Sequence, residues 1–311
     1  MRIFVTGTSG YIGGSIAVAL AAAGHEVSGL VRSQRSAEQV AALGLTPVHG
    51  TLDDAGVLKA AAARADAVIN SANADHEPSA HAMLQAIEGT GKTYIHTSGS
   101  SIVGTQSAGE SIDAIFDETT PVNPSSGRAA RVALNEHILS FKSKGVRSII
   151  ICPSLIYGIG RGPAKHSIQV PWLIELAKKA GVARHYGRGE NIWSNVHIDD
   201  LVDLYLLALA SAPAGAFYFA ENGENSMRQV CEAINRKLGV NTGTVPMSLD
   251  EAAREWGEGA ARNTMGSNSR VRAVRARAEL GWRPSRPSLI DEIESGCYAA
   301  CFVGRWLSRG S

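Results

Sequence analysis

The chain opens on an apolar run, Arg2 to Thr6, followed at once by Gly7-Thr8-Ser9-Gly10-Tyr11-Ile12-Gly13 and then an Ala- and Leu-rich stretch. Apolar run, glycines and helix formers in that order read as strand, turn and helix. The spacing gives each glycine a separate task. Gly7 allows the tight turn, Gly10 lets a pyrophosphate approach the backbone, and Gly13 lets the helix pack close to the strand. The helix start adds free N–H groups and the positive end of its dipole. A dinucleotide is the ligand such a cradle accepts. Without the strand and helix around it, the same string would be only a glycine-rich turn.

Short apolar strands alternate with helices through the first half. After Arg2 to Thr6, strands are expected at His25–Val31, Thr46–Gly50, Ala67–Ser71, Thr93–Thr97 and Ser148–Cys152. Helices are expected at Tyr11–Ala23, Ser36–Leu43, Asp54–Ala63, Glu77–Thr90 and Arg128–Lys144. Such alternation implies right-handed crossovers, hence an α/β fold with a doubly wound parallel Rossmann sheet. After Pro153 the pattern loosens into helices at Pro171–Ala180, Asp199–Ala212 and Ser226–Leu238, with Ser226 as N-cap, and a strand at Ala216–Phe219. This divides the chain into a dinucleotide-binding domain, 1–155, to which 190–215 returns, and a smaller C-terminal α/β substrate-binding region of 156–189 and 216–311. Arg270 to Arg277 reads as the solvated face of a helix.

Where the second strand ends, sites that prefer NAD place an Asp or Glu on the ribose 2′-OH. Here the stretch is Gly29-Leu30-Val31-Arg32-Ser33-Gln34-Arg35, without a carboxylate. Arg32, Ser33 and Arg35 suit a 2′-phosphate, so the cofactor is expected to be NADP, with NAD as the alternative.

Charged residues are 19% of the chain and the net charge is +1. That balance gives no electrostatic reason to expect nucleic acid or a membrane surface as partner. No apolar run approaches the ~20 residues of a membrane span, and Met1 leads straight into a strand rather than a secretory leader. The four cysteines, Cys152, Cys231, Cys297 and Cys301, form no Cys-x-x-Cys pair. Free thiols in a cytoplasmic protein, and no metal site, are the expectation. The partner would be a small-molecule substrate.

From these landmarks the chain resembles the extended short-chain dehydrogenase/reductase family, also called the NAD-dependent epimerase/dehydratase family. The likeness runs to about Tyr298. Leu52-Asp53 looks like the family's adenine-side segment, and Ser71-Ala72-Asn73 sits where the family passes the ribose. Thr97-Ser98-Gly99-Ser100-Ser101-Ile102-Val103-Gly104 resembles its serine-bearing fifth strand, and Pro153-Ser154-Leu155-Ile156-Tyr157-Gly158 the segment under the nicotinamide. Val196-His197-Ile198-Asp199-Asp200 and Leu280-Gly281-Trp282-Arg283-Pro284 are further signatures, expected to be structural. The resemblance implies a homodimer through the Glu77–Thr90 and Arg128–Lys144 helices.

Two departures bear on chemistry. The family's Tyr-x-x-x-Lys is missing: with Glu136 as anchor, Arg128 and Val132 occupy its two positions. This matches an atypical subgroup that keeps the cofactor site and loses the tyrosine. The Arg-Asp pair by which nucleotide-sugar members meet phosphate is replaced by Trp193 and Ser194.

Ser98 is the first choice to hold a substrate oxygen, although counting back from Gly104 puts Gly99 there, so Ser98 or Ser100 must substitute. The alternative is that these hydroxyls only cap a turn. For the proton source Tyr157, His166, Lys165 and Arg128 are candidates; His166 titrates near neutrality, whereas Arg128 suits an oxyanion better than proton donation. Asp200 is expected to support a helix start, and His76 to border the cleft. The leading reading is an NADP(H)-dependent oxidoreductase acting on a small or apolar carbonyl or alcohol. A non-catalytic NADP(H) sensor and a nucleotide-sugar epimerase or dehydratase are the alternatives.

Overall fold

The computed structural model describes residues 1–125 and 127–302. The first half runs β1 (Arg2–Thr6), α1 (Tyr11–Ala22), β2 (Glu26–Val31), α2 (Gln34–Ala41), β3 (Thr46–His49), α3 (Ala55–Arg64), β4 (Ala67–Asn70), α4 (Glu77–Ala86), β5 (Thr93–Thr97), β6 (Thr105–Gln106), α5 (Ala129–Ser140) and β7 (Arg147–Pro153). Then follow β8 (Leu155–Tyr157), α6 (Gln169–Ala180), β9 (Arg184–Tyr186), β10 (Ile192–His197), α7 (Ile198–Ser211), β11 (Ala216–Ala220), β12 (Glu224–Ser226) and α8 (Met227–Leu238). The C-terminal part adds β13 (Val245–Met247), α9 (Leu249–Trp256), α10 (Glu258–Ala260), β14 (Ser267–Asn268), α11 (Val274–Leu280) and α12 (Leu289–Glu294).

The central sheet has seven parallel strands in the order β11-β7-β5-β4-β1-β2-β3. β1 shows why the fold needs two helical layers. Ile3 and Val5 point into a core shared with α1, α2 and α7, while Phe4 points into another shared with α3, α4 and α5. All three side chains are fully buried. This is the doubly wound Rossmann arrangement. β1 lies between β2 and β4, and there the crossovers change direction. Ligands of such sheets bind in the crevice beyond the carboxyl ends of those strands.

A second core joins α6, α8 and α12 to β8 and β10, with Trp193, Tyr157 and Tyr298 inside it. Three small sheets accompany it, in the orders β12-β10-β8, β13-β9 and β14-β6.

Several expectations are corrected. Ala216–Ala220 does not belong to the substrate region but is the edge strand of the central sheet, paired with β7 from Ala216↔Ile149 to Ala220↔Pro153. Of the returning segment 190–215, α7 packs on the main core, whereas β10 joins the small sheet with β8 and β12. Residues 303–311 of the expected substrate region lie outside the described residues. α4 stops at Ala86 because Gly89 and Gly91, both at positive φ, turn the chain. α5 gives way after Ser140 to a tighter turn, Phe141–Lys144, closed by Gly145 at φ 69°.

Arg270 to Arg277 is not a solvated basic face. Arg270 and Arg272 pair with Glu224 at 2.6 and 3.0 Å, Arg277 with Glu221 at 2.7 Å, and Arg275 with Glu279 at 2.7 Å. The four cysteines are free thiols. Among the described residues no helix is long and apolar enough to cross a membrane.

Candidate active site

A cleft of about 710 Å³ opens at the carboxyl ends of β1 and β4. That volume falls within the ~300–1,000 Å³ typical of small-molecule and cofactor sites. Its floor is the glycine turn, and Gly7, Ser9, Gly10, Tyr11, Ile12 and Gly13 all line it.

The glycines are sterically required. Gly7 has φ +78°, and a Cβ there would stand 3.0 Å from the Ala72 backbone. A Cβ on Gly13 would stand 2.5 Å from the Gly7 carbonyl oxygen and 2.6 Å from Ser71 Oγ. α1 starts after Gly10 with no side-chain cap, and its first α-helical amide bond is Gly14 N–H to Gly10 O at 3.0 Å. The amides before it have no helical acceptor and suit a phosphate. The cradle fits a pyrophosphate. Thr8 is different: it is fully buried, and its hydroxyl donates to the Leu30 carbonyl at 3.2 Å, holding the turn on β2 rather than lining the cleft.

At the outer end Arg32, Thr51, Leu52 and Asp53 line the cleft, with Ser71, Ala72, Asn73 and His76 on the opposite wall. Asp53 meets His76 Nε2 at 3.2 Å. Ser33 is occupied as the N-cap of α2, accepting from the Ser36 amide at 3.2 Å. Arg35 is exposed in the first turn of α2, outside the cleft lining. Of the three residues expected at a 2′-phosphate, only Arg32 reaches the cleft wall.

At the inner end the wall is Ser154, Ile156, His166, Ser167, Ile168 and Gln169. Thr97 and Pro153 are buried beneath it. The Thr97 hydroxyl is engaged with Tyr205 Oη at 2.6 Å, and Pro153 ends β7 against Ala220. Ser98 also lies below the surface. It is 5% exposed and its Oγ accepts from Asn135 Nδ2 at 2.9 Å. It sits beside the Cys152 thiol, which burial pushes up to about 12. Ser100 bonds Ser269 instead, at 2.9 Å. Neither serine lines the cleft, because the first turn of β5's connection folds inward onto α5 and the C-terminal region.

The tyrosine candidate is also corrected. Tyr157 is fully buried, its ring packs edge-on against His197, and its hydroxyl donates to the Pro287 carbonyl at 2.8 Å. Among the described residues Tyr11 is the one cleft-lining tyrosine, and its hydroxyl donates to the Gly158 carbonyl at 2.9 Å. Burial raises the Tyr11 pKa well above the phenol range. His166 remains on the cleft wall, and burial followed by the Lys165 charge lowers its pKa below the usual imidazole value. Lys165 lies beside it, its Nζ donating to the Arg161 carbonyl at 3.3 Å, outside the lining.

Two signatures interlock. The Trp282 indole donates to the Asp200 carbonyl at 2.8 Å, and Asp200 Oδ1 accepts from the Ser285 amide at 2.9 Å. The N-terminus of α7 is capped by the His197 side chain, and Asp200 stands in its first turn, where a carboxylate suits the helix start. Trp193 is buried, its indole donating to the Ser267 carbonyl at 2.7 Å, so no cation stands at that position.

Sequence reasoning missed one feature at the start of α5. Arg131 forks onto Asp75, with Nε to Oδ1 at 2.6 Å, and its Nη1 donates to Ser101 Oγ at 3.1 Å. Asp75 lies in the loop after β4, beside Asn73 and His76. Its pKa is lowered, chiefly by the Arg131 hydrogen bond. Arg128 is the residue just before the helix. The signal available in the sequence was an arginine one turn beyond Arg128; its partner, 56 residues away, was not.

Comparison with known proteins gives consistent matches. The NAD dependent epimerase/dehydratase family matches residues 3–218. Oxidase ucsJ of an Acremonium species is 32% identical over 94% of this chain and 95% of its own length. A 4-hydroxy-2-methyl-3-oxo-4-farnesyl-3,4-dihydroquinoline-1-oxide ketoreductase of Stigmatella aurantiaca is 27% identical over 83% of this chain and 80% of its own. Among solved structures, dTDP-glucose 4,6-dehydratase of Bacillus anthracis in complex with NAD superposes with a TM-score of 0.75, 18% identity and 95% coverage of each chain. At that identity the likeness concerns the fold.

Proposed function

Since the chain belongs to the NAD dependent epimerase/dehydratase family, we propose that it is an NADP(H)-dependent oxidoreductase acting on a small or apolar carbonyl or alcohol. One observation carries this reading: a single cleft runs from an uncapped helix start and Arg32 to a wall of Ser154, Ile156, His166 and Ile168. The ketoreductase and oxidase relatives support redox chemistry, and the buried Trp193 counts against a nucleotide-sugar phosphate.

The nicotinamide, when bound, supplies or accepts the hydride. The rest falls to the chain. The glycine turn and the first amides of α1 bind the pyrophosphate, with Ser9 at their side. Arg32 takes the 2′-phosphate, and Leu52 and Asp53 border the adenine end. Ser71, Ala72 and Asn73 flank the ribose. Ile156 and Ile168 give the reacting end an apolar wall. With the Tyr11 hydroxyl committed to the Gly158 carbonyl, His166 passes the proton. Its lowered pKa keeps it neutral near pH 7, so in alcohol oxidation the imidazole accepts the hydroxyl proton as the hydride leaves, and in reduction the imidazolium returns that proton to the oxygen.

The same reading places the protein in the reducing cytoplasm, on its four free thiols, and pairs it into a homodimer through α4 and α5, a state that light scattering checks. The enzymatic test follows NADPH absorbance with a panel of ketones, aldehydes and their alcohols. Turnover with at least one member is expected; none above blank sinks the proposal.

A further inference from the structure

Two guanidinium groups stand one helical turn apart at the start of α5, and a single carboxylate, Asp75, faces them. Arg131 takes that carboxylate entirely, with Nε on one Asp75 oxygen and Nη2 on the other, and is itself only 14% exposed. Arg128 is half-buried and, among the described residues, its guanidinium has no hydrogen bond or ion pair. The charges facing it are Arg131, which repels it, and the already committed Asp75. The buried His96 behind that pair is neutral, its pKa lowered to about 4 by burial. One positive charge is therefore left over, partly out of water.

A desolvated cation without a counter-ion is unfavourable, and an arriving anion relieves it. The guanidinium fork matches a carboxylate in two parallel hydrogen bonds. The place is also informative. Asp75 belongs to the loop whose Asn73 and His76 line the cleft, and Ser101 belongs to the turn leaving β5. By sequence, residue 128 occupies the position of the family's tyrosine.

We propose that Arg128 is a carboxylate-binding residue and that the substrate is a small anionic oxo or hydroxy acid, anchored through its carboxylate at the mouth of α5. The inference rests on the oxidoreductase reading for its hydride step. There the oxo carbon takes the hydride, its oxygen takes the proton, and the carboxylate is unchanged. Arg131 is a positioning residue: bound to Asp75 and Ser101, it keeps Asp75 from neutralising Arg128.

The test needs no turnover. Calorimetry compares 3-hydroxybutyrate with 3-hydroxybutyramide, with and without NADP⁺, so that only the charged end differs. The protein is expected to bind the acid about tenfold or more tightly than the amide. Arg128→Gln should erase that difference, and Arg128→Lys should retain part of it, with NADP⁺ affinity within about twofold in both. Equal binding of acid and amide, no detectable binding of the acid, or a preference that survives in Arg128→Gln overturns the proposal. A blank carbonyl panel, by contrast, would remove the oxidoreductase reading and leave this comparison intact.

Discussion

Gly14 and Gly162 touch backbone to backbone: a Cβ on Gly162 would stand 2.5 Å from the Gly14 Cα. The contact registers the loop that walls the inner cleft against the first turn of α1, the helix that forms the cradle. Two hydrogen bonds reinforce it, Arg161 N–H to Ser15 Oγ at 3.0 Å and Tyr11 Oη–H to Gly158 O at 2.9 Å. Gly162→Ala has only backbone to push against, so the loop must move. Overpacking of this kind costs about 1–3 kcal/mol. Thermal melting should show the loss, and NADP(H) binding should weaken with it. An unchanged melting temperature and Kd would mean that the two segments are not coupled.

Arg32 is the one cation of the second-strand loop on the cleft wall, while Ser33 caps α2 and Arg35 faces solvent. Hydrogen bonds to charged groups contribute about 1.5–3 kcal/mol. Arg32→Ala is therefore expected to weaken NADPH about ten- to a hundredfold and leave NADH within about twofold, while Arg35→Ala changes neither. Fluorescence titration with both cofactors decides it. Parallel weakening of NADPH and NADH in Arg32→Ala would remove the basis for a phosphate preference.

His96 makes stability depend on acid. Its ring is fully buried on β5, stacked on Tyr94, with Nδ1 3.3 Å from Asn70 Nδ2, and burial lowers its pKa from 6.5 to about 4. The unfolded chain therefore binds a proton that the folded chain refuses between those two values. Stability from this group is complete above about pH 6.5 and is lost as pH falls toward 4, by at most roughly 3 kcal/mol. Urea unfolding at pH 7 and pH 4.5 should show the drop, and His96→Gln should flatten it. An equal drop in the variant would assign the acid sensitivity to other groups.

What the sequence disclosed was local. Gly7, Gly10 and Gly13 announce the cradle because turn, close approach and helix packing are all settled within seven residues. The capping of α8 by Ser226 is legible for the same reason. What stayed hidden depends on distant partners. Ser98 looks like a catalytic serine until Asn135, 37 residues on, takes its oxygen. The Ala216–Ala220 run shows a strand but not its neighbour, and β7 makes it part of the main sheet. The arginines of 270–277 look solvated until Glu221 and Glu224 arrive across some 50 residues. Arg131 gained meaning only when the fold brought Asp75 to it.

The last expectation concerns Tyr157, one of the proton-source candidates that the sequence offers. Its hydroxyl is committed to the Pro287 carbonyl at 2.8 Å inside the second core, and burial raises its pKa far above neutrality. It has neither access to the cleft nor a proton it can release near pH 7. Tyr157→Phe keeps the ring against His197 and removes only the hydrogen bond, leaving one carbonyl to find another donor. The cost should be about 1–3 kcal/mol in stability, the penalty of a buried unsatisfied acceptor. Once the panel has supplied a substrate, kcat and its pH profile should match the parent within about twofold. His166→Gln, on the cleft wall, should instead lower kcat and remove the acid limb of that profile. A tenfold fall in kcat for Tyr157→Phe, with the melting curve unchanged, would return the proton to Tyr157 and take it from His166.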